Sequence, residues 1–236
     1  MLGSVEPIPI TNLCFALVPT AVVIMILYRW SAGSTTALHA VGRMVLQLAV
    51  VGYALTFLFG SGRSVVVLMT LTIMLAAAGW IALRPVAERR RTLYLRAVAA
   101  IGFGGVSTLV IITQGVLTAD PWHDATVLIP LGGMIFAASM NAVSLSAERL
   151  KAEQMRGAGY DEARRTALQA ALIPQINTLF AVGLVSLPGM MTGQILSGVP
   201  PQIAARYQIM VMCMLFGAAG MSAACFLMLQ RGCTDD

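Results

Sequence analysis

Apolar runs of about 20 residues alternate along this chain with short polar or arginine-rich connections. Such a run, wound as a helix at about 1.5 Å per residue, matches a bilayer core roughly 30 Å thick. The pattern predicts seven spans: Leu13–Tyr28, Leu38–Phe59, Val65–Leu83, Leu93–Leu117, Ala125–Ala147, Ile176–Leu196 and Ile203–Leu229. The sixth carries an anomaly. Its string SLPGMMTGQIL, Ser186 to Leu196, places a proline, two glycines, a threonine and a glutamine where an unbroken apolar helix is expected. The expected fold class is all-α: a polytopic membrane protein forming a single transmembrane domain over residues 1–236, with a cytoplasmic segment at 148–175.

Composition strengthens the membrane reading. Hydrophobic residues make up 58% of the chain and charged residues 11%, and the mean hydropathy is +0.83. So few charges cannot cover so apolar a soluble core. Glu6 stands near the N-terminus in place of a basic cluster, and no small-residue cleavage site follows the first run, which argues against a cleavable signal peptide. Cys14, Cys213, Cys225 and Cys233 show no CxxC spacing and read as small apolar filler.

The net charge of +5 would suit nucleic acid, but the positions of the charges point to a membrane instead. RPVAERRRTLYLR holds Arg84, Arg89, Arg90, Arg91 and Arg96; RLKAEQMRGAGYDEARR holds Arg149, Lys151, Arg156, Arg164 and Arg165. Basic loops stay in the cytoplasm, and seven spans put both segments there together. With Arg29 and Arg231, twelve of the 15 basic residues then lie inside, leaving Arg63 and Arg206 outside and Arg43 within the second span. This predicts N-terminus out and C-terminus in.

The inner segment from Ser146 to Gln175 reads as a helix leaving the membrane, a break at Gly157-Ala158-Gly159, and a second helix, YDEARRTALQAALI. Asp161 and Glu162 suit the positive first turn of that helix. Pro174, lacking an N–H, is expected to bend or restart the chain before the sixth span. The result is a cytoplasmic helix hairpin, either a plain solvated connection or a docking element for a cytosolic partner. No GxxxxGK[ST] string exists, so the chain has no P-loop for nucleotide phosphates and no ATPase of its own. It is expected not to be an enzyme and to hold no cofactor. All ten acids fall in loops, termini or span ends, which disfavours a proton-coupled carrier.

Three groups of polar residues are candidate sites. Arg43 and Gln47 share one helical face, placed either to reach lipid phosphates or to line a bundle interior. In the interrupted sixth span, Pro188 removes a backbone hydrogen bond, Gly189 and Gly193 permit close approach, Thr192 and Gln194 can satisfy freed backbone groups, and Met190 and Met191 offer soft thioethers. The fifth span echoes this in Pro130-Leu-Gly-Gly-Met134. These features fit either helix packing or a gate. Methionine suits a soft ion such as Cu(I) better than ferric iron. The third group, Asp120, His123 and Asp124 in TADPWHDA, offers oxygen and nitrogen ligands for a metal at an exit mouth, although short acidic interfacial loops with a Trp are common.

Three stretches, IPLGGMIFAASMNAVSLSAERL, EARRTALQAALIPQINTL and VGLVSLPGMMTGQILSGVPPQIAARYQIMVM, resemble the FetB-like family of ABC transporter permeases, as does RMVLQLAVVGYALTFLF in the second span. The resemblance covers the chain from about Arg43 onward, and PGMMTGQILSG is its most specific string. It implies a homodimeric permease in the bacterial inner membrane, exporting iron with a separate cytosolic ATPase that carries the ATP and Mg. The cytoplasmic hairpin is where that subunit would dock, on Glu153, Arg156, Gly157, Gly159, Tyr160, Asp161, Arg164 and Arg165, although its glycines and later proline do not keep the spacing of the EAA-type coupling segment of ABC permeases. One departure falls near the family's GNAMN pattern. Its Gly-Asn positions are replaced here, while Met140 and Asn141 remain as candidate path residues. Other substrates stay open: another metal, a nucleotide sugar or an amphipathic compound, with an ion-coupled carrier as the class alternative.

Overall fold

The structure is a computed structural model and describes residues 9–60 and 63–231. Glu6 and Cys233 lie outside the described residues. No strand occurs among the described residues, which confirms the all-α expectation. The chain forms two compact units divided at residue 60. The first holds α1 (Ile10–Arg29) and α2 (Ser34–Gly60). The second holds α3 (Ser64–Ala82), a short 3₁₀ segment (Arg84–Arg89), α4 (Arg90–Val110) with a π-helical extension (Ile111–Val116), α5 (Ala125–Met155), α6 (Tyr160–Ala181), α7 (Gly189–Leu196) and α8 (Pro201–Leu229).

Six helical segments among the described residues are long and apolar enough to cross a membrane. They match six of the seven predicted spans, and the exception is the sixth. Ile176–Leu196 is not a continuous helix: α6 stops at Ala181, a turn occupies 182–188, and α7 restarts at Gly189. Pro188 therefore does not kink a helix. It caps α7 from outside, where a missing N–H costs nothing. Pro174 does not restart the chain either, because α6 runs through it for 22 residues. Placement relative to a helix end decides what a proline does: Pro174 is carried inside α6, whereas Pro188 precedes the first residue of α7.

The second unit packs through small residues. Ala138 and Ala142 of α5, Ala171 of α6 and Ala219 and Ala223 of α8 form one buried cluster. One level away, Leu150, Ala163, Ala167 and Leu227 form another. The alanines recur four apart, so each helix offers a flat stripe to its neighbours. Close backbone approach supplies the dispersion energy that a bilayer's hydrophobic effect cannot. Gly104 marks the tightest crossing, since a Cβ there would lie 2.7 Å from Ser222 N on α8 and closer still to Ser222 Oγ. Thus α6, although less apolar than the six spans, buries its first three turns, Ala163, Ala167 and Ala171, against the two longest helices of the unit.

Candidate functional site

The predicted break at Gly157-Ala158-Gly159 is present and well built. α5 continues without interruption to Met155. Gly157 then adopts φ +84, a left-handed conformation that L side chains rarely adopt. Its N–H donates to the Gln154 carbonyl at 3.0 Å, and the Ala158 N–H donates to that of Glu153 at 3.2 Å. This paired closure satisfies the last carbonyls of α5. Gly159, extended, then leads into α6.

Side chains fix this turn from both sides. Glu153 pairs with Arg149 at 2.5 Å and with Arg156 at 3.4 Å. Asp161 pairs with Arg164 at 3.2 Å, and the Arg164 guanidinium lies 6.0 Å from the Tyr160 ring centre. Tyr160 reaches furthest: its hydroxyl donates to the Leu227 carbonyl near the end of α8. Burial pushes its phenol above the usual range, with Arg164 and Arg231 opposing. Lys151 of α5 also pairs with Glu88 of the 3₁₀ segment at 2.9 Å. A cavity of about 640 Å³ beside the turn is lined by Asp161, Arg164, Arg165, Leu168, Leu227 and Arg231, among others. The predicted coupling residues are therefore gathered in space, and Tyr160 ties them to α8.

The other candidates divide. At the α6–α7 break, Gly183 has φ +84 and its N–H donates to Ser186 O at 3.0 Å. Met190 and Met191 are half-buried, and Thr192 Oγ1 donates to Pro188 O at 3.1 Å. Gln194 is half-buried, yet its Oε1 is enclosed and without a hydrogen-bond partner. Met134 is half-buried in α5. Met140 and Asn141 do not join the break; they line a separate cavity with Arg84 at the arginine-bearing end. In the first unit, Arg43 and Gln47 pair with each other. With the Gln47 carbonyl turned toward it, the guanidinium donates from Nε at 3.1 Å and from Nη2 at 3.3 Å.

The acidic loop does not gather into a metal site. No group of three His, Cys, Asp or Glu residues able to hold a metal ion occurs among the described residues. Asp124 is instead the N-cap of α5, accepting from Thr126 N at 2.9 Å and from Thr126 Oγ1 at 2.7 Å. Those bonds hold its carboxyl below the usual range. His123 packs edge-on against Trp122, with ring centres 5.2 Å apart. Spacing alone suggested ligands, but the start of the helix had prior use of one carboxylate.

Sequence reasoning missed Gln208, 4% exposed on α8 with its Oε1 unpartnered, and Ser139 and Ser222, fully buried with free hydroxyl oxygens. A glutamine inside an apolar run was the available signal for the first. Small serines give none.

Residues 10–233 match the family described as "Uncharacterised protein family (UPF0014)". The chain is 38% identical over 209 residues to a UPF0014 membrane protein of Synechocystis sp., covering 79% of this chain and 78% of that one. It is 35% identical over 243 residues to the "Probable iron export permease protein FetB" of Escherichia coli, covering 94% and 92%. With the "Protein ALUMINUM SENSITIVE 3" of Arabidopsis thaliana it shares 27% identity over 202 residues, covering 79% and 72%. No solved structure matches. The apolar spans and these relatives make this a multi-pass membrane protein, and the chain belongs to the UPF0014 family.

Proposed function

We propose that this chain is the membrane subunit of an ABC transporter that exports iron, working as a homodimer with a separate cytosolic ATPase that binds the ATP and Mg. The chain itself is not an enzyme in this reading and holds no cofactor. The observation that carries it is the α5–α6 turn: one glycine-closed joint tied at once to α5, α6 and α8. The Escherichia coli relative's name supports the substrate class. The arginine-rich connections support placing this joint and the C-terminus in the cytoplasm of a bacterium, with the N-terminus outside the inner membrane.

The mechanism follows from the anchoring. Closure of the nucleotide-bound ATPase dimer presses on Gln154 to Arg165. The Tyr160 hydroxyl on the Leu227 carbonyl passes that displacement to α8, and the alanine stripes pass it along α5 and α6. The α6–α7 break at the far end then opens or closes the path, with Met190, Met191 and Gln194 beside it. ATP hydrolysis resets the joint.

ATPase activity of this chain with its candidate ATPase, reconstituted in nanodiscs and titrated with iron and other metals, tests the reading. Saturable stimulation by iron, lost on changing Met190, Met191 and Gln194, is expected. Strong basal activity without a metal response would keep the ABC assignment and remove iron. Reversing the charges of Arg164 and Arg165 should abolish co-purification with the ATPase in detergent, and unchanged complex formation would place docking elsewhere. A second reading, the same permease acting on another substrate, rests on Met190 and Met191 beside the break, whose thioethers suit a softer ion than ferric iron.

A further inference from the structure

The arginine-bearing end of the second unit holds a cavity that the transport reading does not use. It has a volume of about 450 Å³ and is lined by Ile81, Arg84, Pro85, Met140, Asn141 and Ser144. One wall comes from the last turn of α3 and the 3₁₀ segment after it, the other from the middle of α5.

Its chemistry is two-sided. Arg84 brings a guanidinium, Asn141 an amide and Ser144 a hydroxyl; Ile81, Pro85 and Met140 bring apolar surface. No acidic residue lines it. Among the described residues, Arg84 has no ion-pair partner, and Asn141 and Ser144 make no side-chain hydrogen bond. The nearby acid is engaged elsewhere, because Glu88 pairs with Lys151 at 2.9 Å. The charge acting on the rim is also positive, since Arg84 and Arg90 lie within electrostatic reach of each other. Arg90 itself is held in place, stacked 3.8 Å over the Trp80 ring with its Nε donating to the Trp80 carbonyl at 2.9 Å. That contact satisfies a last-turn carbonyl of α3 and leaves Arg84 as the arginine facing the cavity.

Depth identifies the occupant. α3 is 19 residues long, so Arg84 follows it at about one hydrocarbon thickness, roughly 28–30 Å from its start. Ser144 stands at a similar distance along α5 from Ala125. The cavity thus sits at headgroup level, with donors for a phosphate and an apolar wall for the glycerol and upper acyl chain. We infer that this cavity binds the phosphate of an anionic phospholipid, held by Arg84 and hydrogen-bonded by Asn141 and Ser144. The apolar half favours a lipid over a free oxyanion, which would leave Ile81, Pro85 and Met140 facing water.

Thermal unfolding of the purified full chain in detergent tests this, with phosphatidylglycerol or phosphatidylcholine added to the micelles. Phosphatidylglycerol should raise the unfolding temperature more than phosphatidylcholine does. Arg84→Gln should lower its apparent affinity about five-fold, as expected for one cationic residue at a membrane surface. Arg84→Lys should keep part of the effect through its charge, and Arg63→Gln, at the start of α3, should keep all of it. An undiminished response in Arg84→Gln overturns the site. So does an equal response to both lipids. Inorganic phosphate giving the full rise in phosphatidylcholine micelles would overturn the lipid assignment. If Arg84→Gln is less stable in phosphatidylcholine, native mass spectrometry of bound phosphatidylglycerol decides between the same outcomes: retention overturns the site, loss supports it.

Discussion

Two interruptions bracket α6, and both place a glycine at φ +84: Gly157 before it and Gly183 after it. Around Gly157, ion pairs hold Glu153, Tyr160 reaches the Leu227 carbonyl, and Ala163 is fully buried within the next turn. Around Gly183, Leu184 is 90% exposed and Val185 85%, and the turn closes only on its own backbone. The same glycine conformation therefore closes back onto the preceding helix and is anchored by distant side chains at Gly157, but closes forward onto its own turn at Gly183. Side-chain anchoring, and not the glycine, sets local stability.

The contrast can be broken by experiment. Gly157→Pro imposes a φ near −65° and removes the N–H that bonds Gln154, with an expected cost of about 1–3 kcal/mol and loss of ATPase association. Gly183→Pro is equally mismatched but lies in a turn that can relax, so it should lower the unfolding temperature less. Equal losses would mean that both turns are anchored alike. Gly104→Ala drives a Cβ into Ser222 and should cost about 1–3 kcal/mol in the same unfolding assay.

Tyr160→Phe should cost about 0.5–1.5 kcal/mol through the lost hydrogen bond. It also removes a pH dependence. The folded phenol titrates above the unfolded value of about 10, so its contribution is fully present below that pH and lost as pH rises through the folded value. Alkaline unfolding followed by circular dichroism should lose this step in the Phe variant. The smallest effect belongs to Gly193→Ala in α7, where a Cβ meets open space. Stability should change by no more than about 0.5 kcal/mol, and a larger transport defect in vesicles would assign the break a moving role.

The apolar runs by themselves determined the helical class and six of the spans, because burying twenty apolar residues in a bilayer leaves a helix few competitors. Local chemistry also determined the Gly157 turn, since glycine just past a helix end closes its carbonyls using only nearby atoms. The sequence could not show that Ile176–Leu196 is divided, because Pro188 reads as a kink or as a cap depending on where α6 has already ended. Nor could it show that Asp124 caps the start of α5, or that Met140 and Asn141 line a cavity with Arg84. Those outcomes depend on which distant atoms arrive beside each residue. Tyr160 shows the difference most plainly: its place in the turn was legible locally, but its partner at Leu227, 67 residues away, was supplied by the packing of α6 on α8.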